Sequence, residues 1–387
     1  MQDYDVVVAG LGAMGSATLH RLARMGVGAL GLDRFSPPHE FGSSHGDSRI
    51  TRLAIGEGKH LTPLARRSQE LWRQIEQDCG QTLLTQCGAL MISSDGSRAQ
   101  VHGASFFATT LEAAHTHRIA HMMLDAAAIR SRFPQFCVRD HEYGYYEPEA
   151  GFVRPEACIG AQLTLAERLG ADVHRNESLL GFEPEGAGVR VITQLGSYRA
   201  RRLVLAAGAW MPDILGASFA PVFRVTRQVL TWFAVAENPD LFASERCPVF
   251  IWQLPESTRM LYGFPALDGP AGGVKIATEQ DELTTTADGV RREVDLRESA
   301  EFYHNYVRPN LPYVSALCLK ARSCLYTQTA DFGFIVDTHP SCPEVLIVSA
   351  CSGHGFKHSA AVGEVLCRWG MTGRLPESFA AFGLGRF

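Results

Sequence analysis

The sequence predicts an α/β fold (α+β overall) in which a βαβ-built domain is interleaved with a β-rich second domain. Three observations predict it. The chain opens on an apolar strand, a glycine-rich turn, a helix pattern and a second apolar strand. Segments of similar character return in its middle and at its end, and strand-rich stretches separate them. At 387 residues the chain exceeds one typical core, so two domains are expected. The expected partition gives residues 1–82, 150–218 and 320–387 to the first domain and 83–149 and 219–319 to the second. A substrate cleft is expected at their junction.

The opening unit is the most informative. Tyr4 to Ala9 is a strand-like apolar run, followed by Gly10-Leu11-Gly12-Ala13-Met14-Gly15, a helix pattern to Met25, and a second apolar run from Val27 to Leu32 that ends on Asp33. This order is that of a Rossmann-like unit binding the ADP half of a dinucleotide. Gly10 permits the tight turn, Gly12 lets the backbone approach a pyrophosphate, and Gly15 lets helix and strand pack closely. The helix N-terminus offers unpaired N–H groups and a positive dipole end to phosphate. Asp33 suits a ribose hydroxyl, which favours NAD or FAD over a 2′-phosphorylated cofactor. The motif by itself does not say which.

Composition narrows the class. The net charge is −5, from 36 basic and 41 acidic residues, with no long run of one sign, so neither nucleic acid nor an anionic membrane is an expected partner. No apolar stretch approaches the roughly 20 residues that span a bilayer. A core strand begins within a few residues of Met1, so no signal peptide is expected. The ten cysteines form no C-x-x-C pair and have no histidines at zinc spacing. They read as reduced core thiols of a cytoplasmic protein, and no metal site is expected.

Further along, Gly42 to Arg52 is rich in small and polar residues and carries Arg49 and Arg52, three apart, which would share a face on a helical turn. Leu64, Leu71, Trp72 and Ile75 mark a helix over 61–79, and 156–169 is a second, stopped by Gly170. Val173 starts a run of strands that ends at Leu203 to Trp210. There Ala206-Ala207-Gly208-Ala209 allows a flat group to lie against the backbone, or merely tight packing. Residues 219–275 are β-rich, 294–308 read as a helix stopped by Pro309, and a last helix closes near Met371.

Five stretches together resemble a known family. They are Gly10 to Gly15, Gly42-Ser43-Ser44-His45-Gly46-Asp47-Ser48-Arg49-Ile50, Leu261 to Pro265, Cys324-Leu325-Tyr326-Thr327 and Ser352-Gly353-His354-Gly355-Phe356-Lys357. In this order they resemble the monomeric sarcosine oxidase and N-methyltryptophan oxidase family, within the FAD-dependent amine oxidases of the D-amino-acid oxidase type. The resemblance implies FAD, joined covalently through Cys324, where a thiolate attacks an electron-poor flavin carbon. It implies cofactor contacts at Gly10, Gly12, Ala13, Met14, Gly15, Asp33, Arg34, Ser43, Ser44, Arg49, Val173, Gly208, Tyr326, Gly353, His354, Gly355, Phe356 and Lys357.

For catalysis the resemblance implies Arg49 and His45 at the flavin, Lys275 as the site of O₂ activation, and Tyr262 in the pocket. Arg52 and Lys357 would clamp a substrate carboxylate, the first in bidentate fashion, the second as a compact charge. Glu279 stands where the sarcosine-oxidising pattern has a histidine, so sarcosine is not carried over. An acid there favours a substrate with an extra cationic group and disfavours a second carboxylate. Ser48 replaces a usual threonine, a mild change. The implied protein is a monomer that oxidises a small secondary amine with O₂. A dehydrogenase that passes electrons to another carrier is the alternative.

Overall fold

The computed structural model describes residues 2–94, 106–254, 257, 259–280 and 282–387. Its first sheet has a parallel centre, in the order Asp172–Arg175, Ala29–Asp33, Gln2–Ala9 and Gly196–Leu205. The outer edge of Gly196–Leu205 is shared. Its first half pairs antiparallel with Gly188–Thr193, and its last three residues run parallel to Cys342–Ser349. Four helices, Ala13–Arg24, Thr62–Cys79, Pro155–Arg168 and Ser359–Thr372, cover one face. Val6 and Val8 point toward them, while Val7 and Ala9 enter a second core on the other face. This explains why the strand is an unbroken apolar run: strand side chains alternate, and both faces are covered.

The second sheet has eight strands, in the order Val314–Gln328, Arg224–Val235, Val274–Thr278, Met260–Gly263, Val249–Gln253, Ala89–Ser94, Glu142–Glu147 and Met122–Asp125. A small third sheet of Arg49–Thr51, Gly151–Val153 and Leu84–Thr85 pairs with neither, and its Ile50 and Phe152 pack against the second sheet. The fold class is the mixed α/β arrangement expected.

Three local expectations change. Arg49 and Arg52 do not share a helical turn, because Arg49–Thr51 is a strand paired with Gly151–Val153. The helix expected over 294–308 is α-helical only from Leu296 to Phe302 and continues with π-type bonding through Tyr303–Val307. Val314–Gln328 runs unbroken through position 320, the expected boundary. Eleven of its residues pair with Arg224–Val235, so Cys324 belongs to the second sheet. Alternation along this edge strand is blurred at Ala316, Leu317 and Leu319, which are exposed, and so the strand carries no clear period in sequence.

Candidate active site

A cavity of about 610 Å³ runs from the first glycine turn to the face of the second sheet. At the glycine end the room is made by backbone. Gly10 has φ +89°, and a Cβ there would stand 2.5 Å from the Ala206 carbonyl oxygen. A Cβ on Gly15 would stand 1.7 Å from the Gly10 oxygen, so helix and turn meet here only because Gly15 lacks a side chain. Gly12 differs: its Cβ would meet only Ser44 Oγ, at 3.6 Å, and the residue faces the cavity. Ala13 and Met14 line the cavity at the N-terminus of the first helix, and the Ala13 N–H donates to Ser44 Oγ at 3.3 Å.

Asp33 Oδ2 accepts from the Leu11 N–H at 2.7 Å and Oδ1 from the Phe35 N–H at 2.8 Å, so its carboxylate braces the turn as well as facing the cavity. Arg34 pairs with Asp288 at 2.9 Å and lies over the Trp210 ring. Gly208 lines this end with φ +56°. Among the described residues Ser43 Oγ and His45 Nε2 are buried without a partner. The glycine cradle, the open helix terminus and the unpartnered Ser43 Oγ, which lines the cavity, fit an adenine dinucleotide.

At the other end the cavity is walled by side chains from distant segments. Cys324 Sγ lies 3.5 Å from Arg49 Nη2, which also donates to the Ser43 carbonyl at 2.7 Å. Burial pushes the Cys324 thiol pKa up, and the Arg49 and Lys275 charges oppose it. Tyr262 and Tyr326 both line this end, and burial pushes the Tyr262 pKa up to about 12. Gly353, with φ +82°, packs its backbone against the Tyr326 ring, where a Cβ would come within 2.8 Å.

Lys275 is buried. Its ammonium donates to the carbonyls of Gly46 at 2.6 Å and Ser48 at 2.9 Å, and to Ser48 Oγ at 3.3 Å. Burial and then Arg49 push its pKa well down. Phe264 packs under the ammonium at 4.6 Å. Arg52 is buried over the Phe106 ring, and Lys357 comes from the far end of the chain. The two meet on one carboxylate: Glu57 Oε2 lies 2.5 Å from Arg52 and Oε1 lies 3.0 Å from Lys357. Glu279 follows the strand carrying Lys275 and lines the same end.

Most expected site residues are brought together. Three do not line the cavity. Gly15 is consumed in helix–strand packing. Val173 sits in the sheet beside Gly31. His45 is buried next to the cavity wall, where burial, Arg49 and Lys275 push its pKa down to about 3, so it is a neutral imidazole and not a cation at the site. Two acids were missed. Glu57 gave only the signal of a turn, Gly56-Glu57-Gly58, with nothing to tie it to Arg52 and Lys357. Glu147 fixes the backbone after Arg52 by accepting from the Leu53 N–H at 2.6 Å and the Ala54 N–H at 3.1 Å.

Comparison with known proteins agrees with this geometry. Residues 5–369 match the family model described as DAO, FAD dependent oxidoreductase. The chain is 37% identical to monomeric sarcosine oxidase of Streptomyces avermitilis over 380 residues, covering 98% of this chain and 96% of that one. It is 31% identical to N-methyl-L-tryptophan oxidase of Yersinia pestis over 388 residues, covering all of both chains. The open form of NikD, an amino acid oxidase of nikkomycin biosynthesis, superposes with TM-score 0.83 at 23% identity, over 99% of this chain and 98% of that one, and so shares the fold.

Proposed function

The chain belongs to the FAD-dependent oxidoreductases of the DAO family, and from that premise we propose that it oxidises secondary amines, N-methyl or cyclic amino acids, with O₂ as acceptor. The observation that carries the reading is the meeting of Arg52 and Lys357 on a single carboxylate beside Tyr262. Two cations from opposite ends of the chain, both buried, already hold one carboxylate, that of Glu57. A substrate carboxylate would take the same donors once Glu57 yields them.

FAD, when bound, supplies the two-electron chemistry that takes a hydride equivalent from the C–H beside the amine nitrogen and delivers the electrons to O₂. The substrate C–N bond becomes an imine, which water hydrolyses, and O₂ becomes H₂O₂. The protein groups orient and polarise. Arg52 and Lys357 fix the carboxylate, and so place the amine near Tyr262. Lys275 offers a positive charge where oxygen would gain one. Arg49, 3.5 Å from Cys324 Sγ, stabilises the thiolate that covalent attachment requires. Glu279 selects for an additional cationic group on the substrate. The ten cysteines are unpaired, which supports a cytoplasmic location.

The test uses the flavin spectrum. Anaerobic addition of a panel of N-methyl and cyclic amino acids should bleach it, and air should restore it with one H₂O₂ per amine consumed. Lys275→Met should slow the return at least about a hundredfold, as loss of one preorganised charge does, while leaving the bleaching rate near the parent's. Bleaching without peroxide would give the dehydrogenase reading instead.

A further inference from the structure

The lysine that faces the cavity does not act alone. This chain has only four lysines, and three of them, Lys275, Lys320 and Lys357, surround the Gly46–Ser48 turn or line the cavity. Lys275 and Lys320 flank Trp232 on adjacent strands, their ammonium groups 5.5 and 4.6 Å from its ring. The turn between them is held from three sides. Lys275 takes its carbonyls, Lys320 holds the Asp47 carboxylate at 2.8 Å, and Glu156 receives its N–H groups.

The third contact is the least expected. Glu156 stands in the first turn of Pro155–Arg168, a position that favours a carboxylate. One of its oxygens, Oε1, accepts from the Gly46 N–H at 2.5 Å and the Asp47 N–H at 3.1 Å. The Asp47 N–H and the Gly46 carbonyl belong to one peptide group, and that carbonyl accepts from Lys275 at 2.6 Å. A carboxylate, a peptide and an ammonium therefore form one hydrogen-bonded series, in which each bond polarises the next. Asp47 itself has φ +68°, a conformation costly for a residue with a side chain, so several contacts together must hold the turn.

We propose that Glu156 is a positioning residue for Lys275, fixing the place and the charge of its ammonium through the Gly46–Asp47 peptide. Other charged or titratable groups face the lysine: Arg49, which disfavours its charge, Cys324 and Asp47, which favour it, neutral His45, and Lys320 beyond Trp232. Glu156 is the group that reaches it through hydrogen bonds from the first domain's helices. The inference rests on the oxygen role assigned above to Lys275 only for its kinetic consequence.

The experiment follows the ε-carbons of ¹³C-lysine in the holoenzyme by NMR across pH. Four signals are expected, and the one missing in Lys275→Met is assigned to it. Glu156→Gln keeps length and an acceptor but removes the charge, and should lower the Lys275 midpoint by about one pH unit, a tenfold change in proton affinity, while Lys59 stays unmoved. The pH profile of flavin reoxidation should shift by the same amount, with anaerobic reduction unchanged. Should Glu156→Gln not fold, Glu156→Asp, which withdraws the carboxylate by one methylene, should give a smaller shift of the same sign. An unchanged Lys275 midpoint in the folded variant overturns the proposal. A shifted midpoint with an unshifted reoxidation profile upholds it and removes Lys275 from the oxygen step.

Discussion

At the glycine end of the cavity, space is created by residues that lack side chains. At the second sheet it is filled by charged side chains that hold one another. Gly10 and Gly15 act through backbone contacts no Cβ could survive. Arg52, Lys357 and Glu57 act through a buried ion triad whose members come from residues 52, 57 and 357. The first device is local and steric. The second is distant and electrostatic, and a ligand can trade places with one of its members. Anchoring and selection thus use different physics at opposite ends of one pocket.

Substitutions at the glycine end test the steric half most sharply. Gly15→Ala puts a methyl 1.7 Å from a backbone oxygen, and should cost about 3 kcal/mol or more of stability in chemical denaturation. Gly12→Ala meets only Ser44 Oγ at 3.6 Å, so it should fold like the parent yet retain less flavin. Equal losses of stability in the two would erase the distinction between a packing glycine and a cofactor glycine.

Removing a charge from the triad should do the opposite. Arg52→Met should lower kcat/KM on an amino-acid substrate about 10²- to 10³-fold, in keeping with the 2–5 kcal/mol carried by a buried, hydrogen-bonded charge pair. Flavin content should stay near that of the parent. A large loss of flavin in Arg52→Met would mean that the triad anchors as well as selects.

A pH effect separates the ends again. His20, on the helix of the glycine turn, is buried with neither ring nitrogen partnered among the described residues, and burial lowers its pKa from 6.5 to about 4. The unfolded chain then binds the extra proton between these values. Stability is full well above pH 6.5 and is lost as pH falls toward 4, by about 2.5 kcal/mol at about pH 4.5 from this residue. His20→Leu should flatten that part of the profile of Tm against pH. An equally steep profile in the variant would assign the slope to other groups.

The smallest effect is expected at Glu279. Glu279→Gln should reduce the preference for an amine bearing a second cationic group by roughly two- to fivefold in the ratio of kcat/KM, the size of one partly solvated charge interaction. An unchanged ratio would remove Glu279 from substrate selection.

Legibility followed the same division. The strand–glycine–helix–strand unit could be read from residues 4–33, because each requirement is local: a short unbroken apolar run for a strand buried on both faces, a positive φ at Gly10, an acid at the second strand's end. The long strand Val314–Gln328 could not, since its outer half is an exposed edge without alternation. Cys324 was visible as a motif, yet its place on the second sheet was not.

By itself the sequence determined the βαβ unit with its glycine turn and the mixed α/β class, because steric and periodic rules act between near neighbours. Tertiary structure alone decided that Glu57 closes the Arg52–Lys357 pair, that His45 stands behind the cavity wall, and that Glu156 reaches Lys275 through one peptide. Those outcomes depend on which distant charges are buried together. In a low-dielectric interior, partners are set by contact geometry that no local pattern encodes.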